Sequence, residues 1–183
     1  MRNTFYSVSL FVLFLATSAV AQESGRDKGI DLFRAGNYSA AAEVLSKEVE
    51  AGKGDKTTWL YLGASYMNLG KQNEARPAFL KYKDLKKSPV PHKAFERSVR
   101  ILSKQNAPYT AKARSLGIEG QVLLLIEFRA DGKIGFVFPL TELAGGLTES
   151  AIDAARKMRF EPAMLNGKPV TALQQASYVF NTF

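Results

Sequence analysis

The chain offers little that catalysis can use. Its single histidine, His92, directly follows Pro91, and there is no cysteine. A catalytic or structural zinc site takes three or four N, S or O ligands, so one imidazole without thiolates does not make one. A Ser–His pair needs a third, orienting group in a pocket, and the residues around His92 do not supply it. No Gly-rich phosphate loop and no paired-carboxylate motif stands out. No catalytic, cofactor-binding or metal-ligating residue is therefore assigned, no cofactor is expected, and the chain reads as a non-enzyme. The lack of cysteine also removes disulfides and thiol nucleophiles.

What remains is the chemistry of recognition. Positive charge is densest between Lys81 and Arg100, where Lys81, Lys83, Lys86, Lys87, Lys93, Arg97 and Arg100 face only Asp84 and Glu96, in a chain of net charge +8. Such a stretch is either a solvated helical face or a contact for an anionic envelope component. Its aromatics are Tyr82 and Phe95 alone, too few for a base-stacking platform, which argues against nucleic acid. A second feature is Gln174-Gln175, a polar pair at the centre of the mostly apolar run from Val170 to Phe180. A polar strand centre is what an accessible sheet edge would show.

The elements that must position these residues begin with the N-terminus. Arg2, the apolar run Leu10–Ala16 and the small-x-small triplet Ala19-Val20-Ala21 compose a signal peptide over residues 1–21, cleaved before Gln22. The alternative is an inner-membrane anchor over residues 4–21, but a spanning helix takes about 20 apolar residues and this run is followed by Thr17 and Ser18. The expectation is an exported, periplasmic protein without a stable membrane span.

A repeat organises the first half. Gly29 recurs as Gly63, Gly36 as Gly70, Ala41 as Ala75, Leu32 as Tyr66 and Leu45 as Phe79, always 34 residues apart. Trp59, Leu62, Gly63, Tyr66, Ala75 and Phe79 stand at helical spacing. Gly70 suits a helix C-cap, and Asn73 an N-cap. With that period, the segment resembles the tetratricopeptide (TPR) family. The expected module is all-α, residues 22–104, in helical hairpins closed by a capping helix over 91–104 on the stripe Ala94, Phe95, Val99 and Leu102. The resemblance implies a concave, peptide-binding face carrying Arg26, Ile30, Phe33 and Arg34 from the first repeat. The second repeat would add Thr57, Leu60, Ala64, Met67 and Asn68. The alternative is a rigid spacer.

From Pro108 the period changes. Val122, Leu124, Ile126 and Phe128 alternate with Leu123, Leu125 and Glu127, a strand with both faces partly apolar. Asp131-Gly132 is a hairpin turn. Lys133–Phe138 returns, Thr148 can N-cap a helix to Arg159, Asn166-Gly167-Lys168-Pro169 turns, and Val170–Phe180 is the last strand. Residues 108–183 resemble a TonB C-terminal domain. The matching pieces are Tyr109 and Ala113, Gly117-Ile118-Glu119-Gly120-Gln121-Val122, Asp131-Gly132-Lys133, Ala151 with Ala154 and Ala155, Met158-Arg159-Phe160-Glu161-Pro162-Ala163, and Gly167-Lys168-Pro169-Val170. The overall class is then α+β: TPR hairpins, a joint near Gln105–Pro108, and a small domain with a three-stranded antiparallel sheet and packed helices. The resemblance implies capture of an outer-membrane receptor segment by strand addition at the edge strand, through Thr171, Leu173, Gln174, Gln175 and Ser177. The family's Tyr-Pro pair reads Tyr109-Thr110 here, and no Pro-rich stalk is present.

The expected function is a periplasmic adaptor. Its TonB-like domain pairs with one partner's strand and its TPR module binds a second envelope protein, with a link to TonB-dependent outer-membrane transport. The alternative is an envelope-binding structural protein that holds an anionic polymer such as peptidoglycan through the basic stretch. Sequence alone leaves the oligomeric state open.

Overall fold

The computed structural model describes residues 24–85 and 95–181. The expected signal peptide, His92 and the basic residues Lys86, Lys87 and Lys93 lie outside them. Among the described residues, no helix is long and apolar enough to cross a membrane.

Four helices come first: α1 (Gly25–Arg34), α2 (Tyr38–Glu50), α3 (Lys56–Asn68) and α4 (Gln72–Asp84). Three start on side-chain caps, with Ser24, Asn37 and Asp55 accepting from the main-chain N–H of Asp27, Ala40 and Thr58. Such caps satisfy orphan donors of the first turn. Gly70 follows α3 with φ 72°, as its sequence position suggested. Asn73 does not cap α4, which starts one residue before it, after an uncapped Lys71. The 34-residue period is visible as packing. A Cβ at Gly29 would sit 2.5 Å from Leu45 Cγ, and one at Gly63 would sit 2.7 Å from Phe79 Cδ1. Each glycine lets the second helix of its hairpin lie against the first, and the two contacts are related by the repeat.

The second half is built on β2 (Gly120–Phe128), β3 (Ile134–Pro139) and β7 (Ala172–Phe180), an antiparallel sheet of order β3-β2-β7. Short helix α5 (Ala111–Ser115) precedes it, and α6 (Leu147–Arg156) lies between β3 and β7. Gly146, not Thr148, is the α6 N-cap. Thr148 Oγ1 instead accepts from Leu143 N at 2.8 Å and donates to Leu143 O at 2.9 Å. Arg159 has left the helix for β4 (Arg159–Glu161), and β5 (Ala163–Leu165) and β6 (Lys168–Val170) form a hairpin around Asn166-Gly167.

The expected capping helix is corrected. Residues 91–94 lie outside the described residues, and Arg100–Ser103 form a strand, β1, antiparallel to β4. Arg97 adds a bridge to Met164, and the Glu96 carboxylate accepts from the N–H groups of Asn166 and Gly167. Of the expected stripe, Leu102 is exposed, while Val99 packs against the core on the α6 side of the sheet. This segment therefore belongs to the second half before Gln105–Pro108 is reached.

The sheet is covered on both faces. On one, Leu147, Ala151, Ala154 and Ala155 of α6, with Met158 just after it, pack against Val122, Leu124, Ile126, Phe128, Tyr178 and Phe180. The helix alanines allow a close approach. On the other, Leu123, Leu125, Phe136, Phe138 and Leu173 pack with the helical hairpins in one core that includes Ile30, Phe33, Leu45, Leu62 and Phe79. Phe79 is fully buried, with its ring centroid 5.8 Å from that of Phe136 and 4.6 Å from that of Phe138. Glu127 is also fully buried on this face. Its carboxylate accepts from Asn68 Nδ2 at 2.9 Å and from Phe136 N at 3.3 Å. Gly135 makes room for it, since a Cβ there would overlap the carboxylate.

Two outcomes follow. Phe79→Ala should cost about 3–5 kcal/mol, the range for a buried aromatic. Because Phe79 belongs to the shared core, Trp59 fluorescence in the helices and hydrogen exchange in β2 should report one coincident transition; two separated transitions would contradict the shared core. Burial pushes the Glu127 pKa up, against the opposing pull of Asn68, the Phe136 amide and Arg129. A carboxyl with a raised folded-state pKa binds more protons folded than unfolded, so its contribution is greatest at low pH and is lost as pH rises through the folded value. Denaturant midpoints of the parent should therefore fall, relative to Glu127→Gln, as pH rises from about the ordinary glutamate range near 4 toward neutrality.

Candidate functional site

A three-stranded sheet has two edges. In β7 the ladder fixes which main-chain groups are free. The Leu123 carbonyl accepts from Leu140 N at 2.8 Å and its N–H donates to Thr141 Oγ1, so the main chain of Leu123 faces the β3 side. Main-chain groups alternate along a strand, so Leu124 faces β7, where its partner is Ala176. Even-numbered residues of β7 are thus bonded to β2. Leu173, Gln175, Ser177 and Val179 turn their N–H and C=O outward. Consistent with this parity, the Ser177 carbonyl accepts from Lys104 Nζ at 2.6 Å.

The predicted edge residues fall into three groups. Gln175 and Ser177 present outward main-chain groups in mid-strand. Gln175 is exposed, and its Nε2 donates to Tyr82 Oη at 2.8 Å. Leu173 has the same parity, but its side chain is half-buried against the helical layer. Gln174 is exposed, yet its main chain pairs with Ile126 of β2. Thr171 precedes the strand, is buried, and its Oγ1 accepts from Ala130 N at 3.3 Å. It fastens the β2–β3 turn and is not an edge residue.

The predicted concave face is not an open groove. Ile30, Phe33 and Ala64 are fully buried, and Met67 and Leu60 pack into the same core. Phe33 is held edge-on between Tyr38 and Tyr61. These side chains are buried in one core that the hairpins share with Leu123, Leu125, Phe136, Phe138 and Leu173 of the chain's own sheet. Asn68 is spent on Glu127. Arg26 ties α1 to the start of α3 through Asp55 at 2.9 Å. The Arg34 side chain is 6% exposed and lies over the Phe95 ring, 4.6 Å from its centroid. Thr57 is half-buried at the start of α3.

The basic stretch is partly neutralised from within. Arg97 and Arg100 both pair with Glu161, while Lys81 and Lys83 are exposed on α4. Tyr109-Thr110, where the TonB-like pattern has Tyr-Pro, does structural work. Tyr109 Oη donates to Ile118 O at 2.8 Å, and Thr110 Oγ1 caps α5 and donates to Gly145 O at 2.5 Å.

Sequence reasoning missed the segment beside the edge. Lys104, Asn106, Ala107 and Tyr109 flank Ser177–Asn181 of the β7 end, leaving a cleft of about 560 Å³. Tyr109 stacks on Phe180 at 6.3 Å between centroids, and Lys104 Nζ sits 4.4 Å from the Tyr178 ring centroid. The Tyr178 hydroxyl is buried without a hydrogen-bond partner among the described residues, and burial pushes its pKa up to about 12. A lone lysine in a polar stretch gives no periodic signal by which to find it.

No curated protein matches this chain. A solution NMR structure of the Pseudomonas aeruginosa TonB C-terminal domain is similar at 26% sequence identity and a TM-score of 0.38, over 46% of this chain and 87% of that one. Residues 105–182 match the family model of the Gram-negative bacterial TonB protein C-terminal, and that segment contains the whole sheet, its free edge and helix α6.

Proposed function

We propose that this protein captures an extended segment of another envelope protein by strand addition at the free edge of β7. The observation that carries the reading is the row of outward main-chain groups at Gln175, Ser177 and Val179, which the sheet order β3-β2-β7 leaves without a partner strand among the described residues. In strand addition the main chain supplies affinity and alternate side-chain contacts supply selectivity. Val179 is 64% exposed beside this edge, an apolar contact open to an incoming strand. The match to the TonB C-terminal family supports an envelope setting and a link to TonB-dependent transport across the outer membrane. The N-terminal apolar run supports export to the periplasm. The two hairpins have the period and glycine packing of a TPR module, and we assign them the role of a wall to this site, because their concave face is filled by the sheet.

The test uses a photo-crosslinker in place of Val179, in intact cells, with mass spectrometry of what it captures. Gln175→Pro removes an outward donor and sets a ring against the incoming strand. It should stay folded by circular dichroism and weaken capture about tenfold or more, the effect of losing roughly 1.4 kcal/mol. Gln174→Pro removes a donor to β2 and should instead destabilise the fold by about 1–3 kcal/mol. Undiminished capture by a folded Gln175→Pro protein would contradict the mechanism.

A further inference from the structure

Two lysines are held in the same way near the β7 edge: Lys104 touches the strand itself, and Lys56 is linked to it through Tyr82 on the other face of the sheet. On the α6 side, Lys104 Nζ lies 4.4 Å from the Tyr178 ring centroid and donates to the Ser177 carbonyl at 2.6 Å. On the helical side, Lys56 Nζ lies 4.7 Å from the Tyr82 ring centroid and donates to the Leu85 carbonyl at 2.7 Å. Tyr82 in turn receives the Gln175 side chain. Each ammonium is placed by a ring face and a neutral carbonyl, with no carboxylate bound to it among the described residues. Four other cations, by contrast, meet carboxylates: Arg26 with Asp27 and Asp55, Lys47 with Glu43, Arg76 with Glu142 and Arg100 with Glu161. Asp55, the neighbour of Lys56, is already engaged by Arg26.

Building on the edge-pairing reading, we propose that the segment taken up at β7 is acidic, with carboxylate side chains facing Lys104 on one side and Lys56 on the other, and that Lys104 gates its entry. The argument for the gate is an exchange of partners. An incoming strand must donate to the Ser177 carbonyl, which Lys104 now occupies. A neutral segment expels the ammonium into water with nothing in return. An acidic segment offers it a charged acceptor at the same place, and a charge-assisted bond is stronger than one to a neutral carbonyl. Successive side chains of a strand point to opposite faces, so adjacent acidic residues reach both lysines. The partner is thus an extended acidic stretch of protein, and the exposed Lys81 and Lys83 on α4 add a positive field along the approach.

The test is fluorescence anisotropy with the full chain and two labelled peptides of alternating valine and threonine, one with adjacent central glutamates and the other with glutamines there. The parent should bind the glutamate peptide about fivefold more tightly, as expected for half-exposed ion pairs, and high salt should erase the difference. Lys104→Met should reduce that preference while binding the glutamine peptide at least as tightly as the parent, since the Ser177 carbonyl is then free. Adding Lys56→Met should bring the ratio to one. Equal binding of both peptides by the parent, with both lost in Gln175→Pro, would leave edge pairing intact and overturn the acidic preference. Unchanged binding of both peptides by Gln175→Pro, or no binding by the parent, would overturn edge pairing and this proposal together.

Discussion

Everything in this fold depends on a sheet that is apolar on both faces. The central strand β2 places Val122, Leu124, Ile126 and Phe128 on one side and Leu123 and Leu125 on the other, all but Leu123 essentially inaccessible. Helix α6 can cover only one of these sides. Uncovered, the second side would set Leu123, Leu125, Phe136, Phe138 and Leu173 in water, at a cost of about 25 cal/mol for each Å² of apolar surface. The helical hairpins carry the matching deficit. A short repeat array cannot bury its own apolar face without a further unit, and here the further unit is the sheet. The two halves complete each other, and Phe79 marks the place where they do.

That arrangement decides what is left for binding. The concave face is consumed, and Asn68 is committed to the buried Glu127. The outward main chain of β7 is not consumed, because no fourth strand pairs with it among the described residues. Its flanks are not bare, however. The helical layer reaches it through Tyr82 and Gln175, and the segment before α5 reaches it through Lys104. A bare edge is open to any strand, and long side chains with positive charge are a common means of protecting one. Lys104 fits that role, since it fills an outward carbonyl without closing the strand to a partner that brings a replacement acceptor.

Much of the fold was legible because it is written in local periods. The 34-residue offset matched Gly29 with Gly63 and Leu45 with Phe79, and in the structure each glycine packs against the large side chain of its own repeat. Alternation from Val122 to Phe128 led to β2, and Asp131-Gly132 to its turn. The polar pair Gln174-Gln175 pointed to an edge strand, although only the ladder reveals that Gln175 is the residue turned outward. What failed was non-local. Residues Arg100–Ser103 looked like the end of a helix because their pairing partners, Arg159–Glu161, lie some sixty residues away and leave no mark on the local pattern. The concave-face residues failed for a related reason. Apolar and mixed side chains such as Ile30, Phe33 and Met67 look alike whether they await a foreign peptide or the chain's own sheet.

The shared core also changes how the molecule would use two kinds of module. An adaptor gains from tethering only when its sites can be occupied separately, since the second event then occurs at high effective concentration. With the concave face filled, that benefit is not available at the groove. The gain lies instead in order established before binding. An extended partner that meets a free strand must fix both itself and the strand's surroundings, and ordering side chains at an interface is part of the cost of association. Here β7 is braced along its inner side by the ladder to β2, the outer face of the sheet rests on α3 and α4, and Tyr82 and Lys104 are already placed. Under the proposed edge pairing, the helices add no groove but pack against one face of the sheet beside the edge, so a partner's own chain would be the main element left to order.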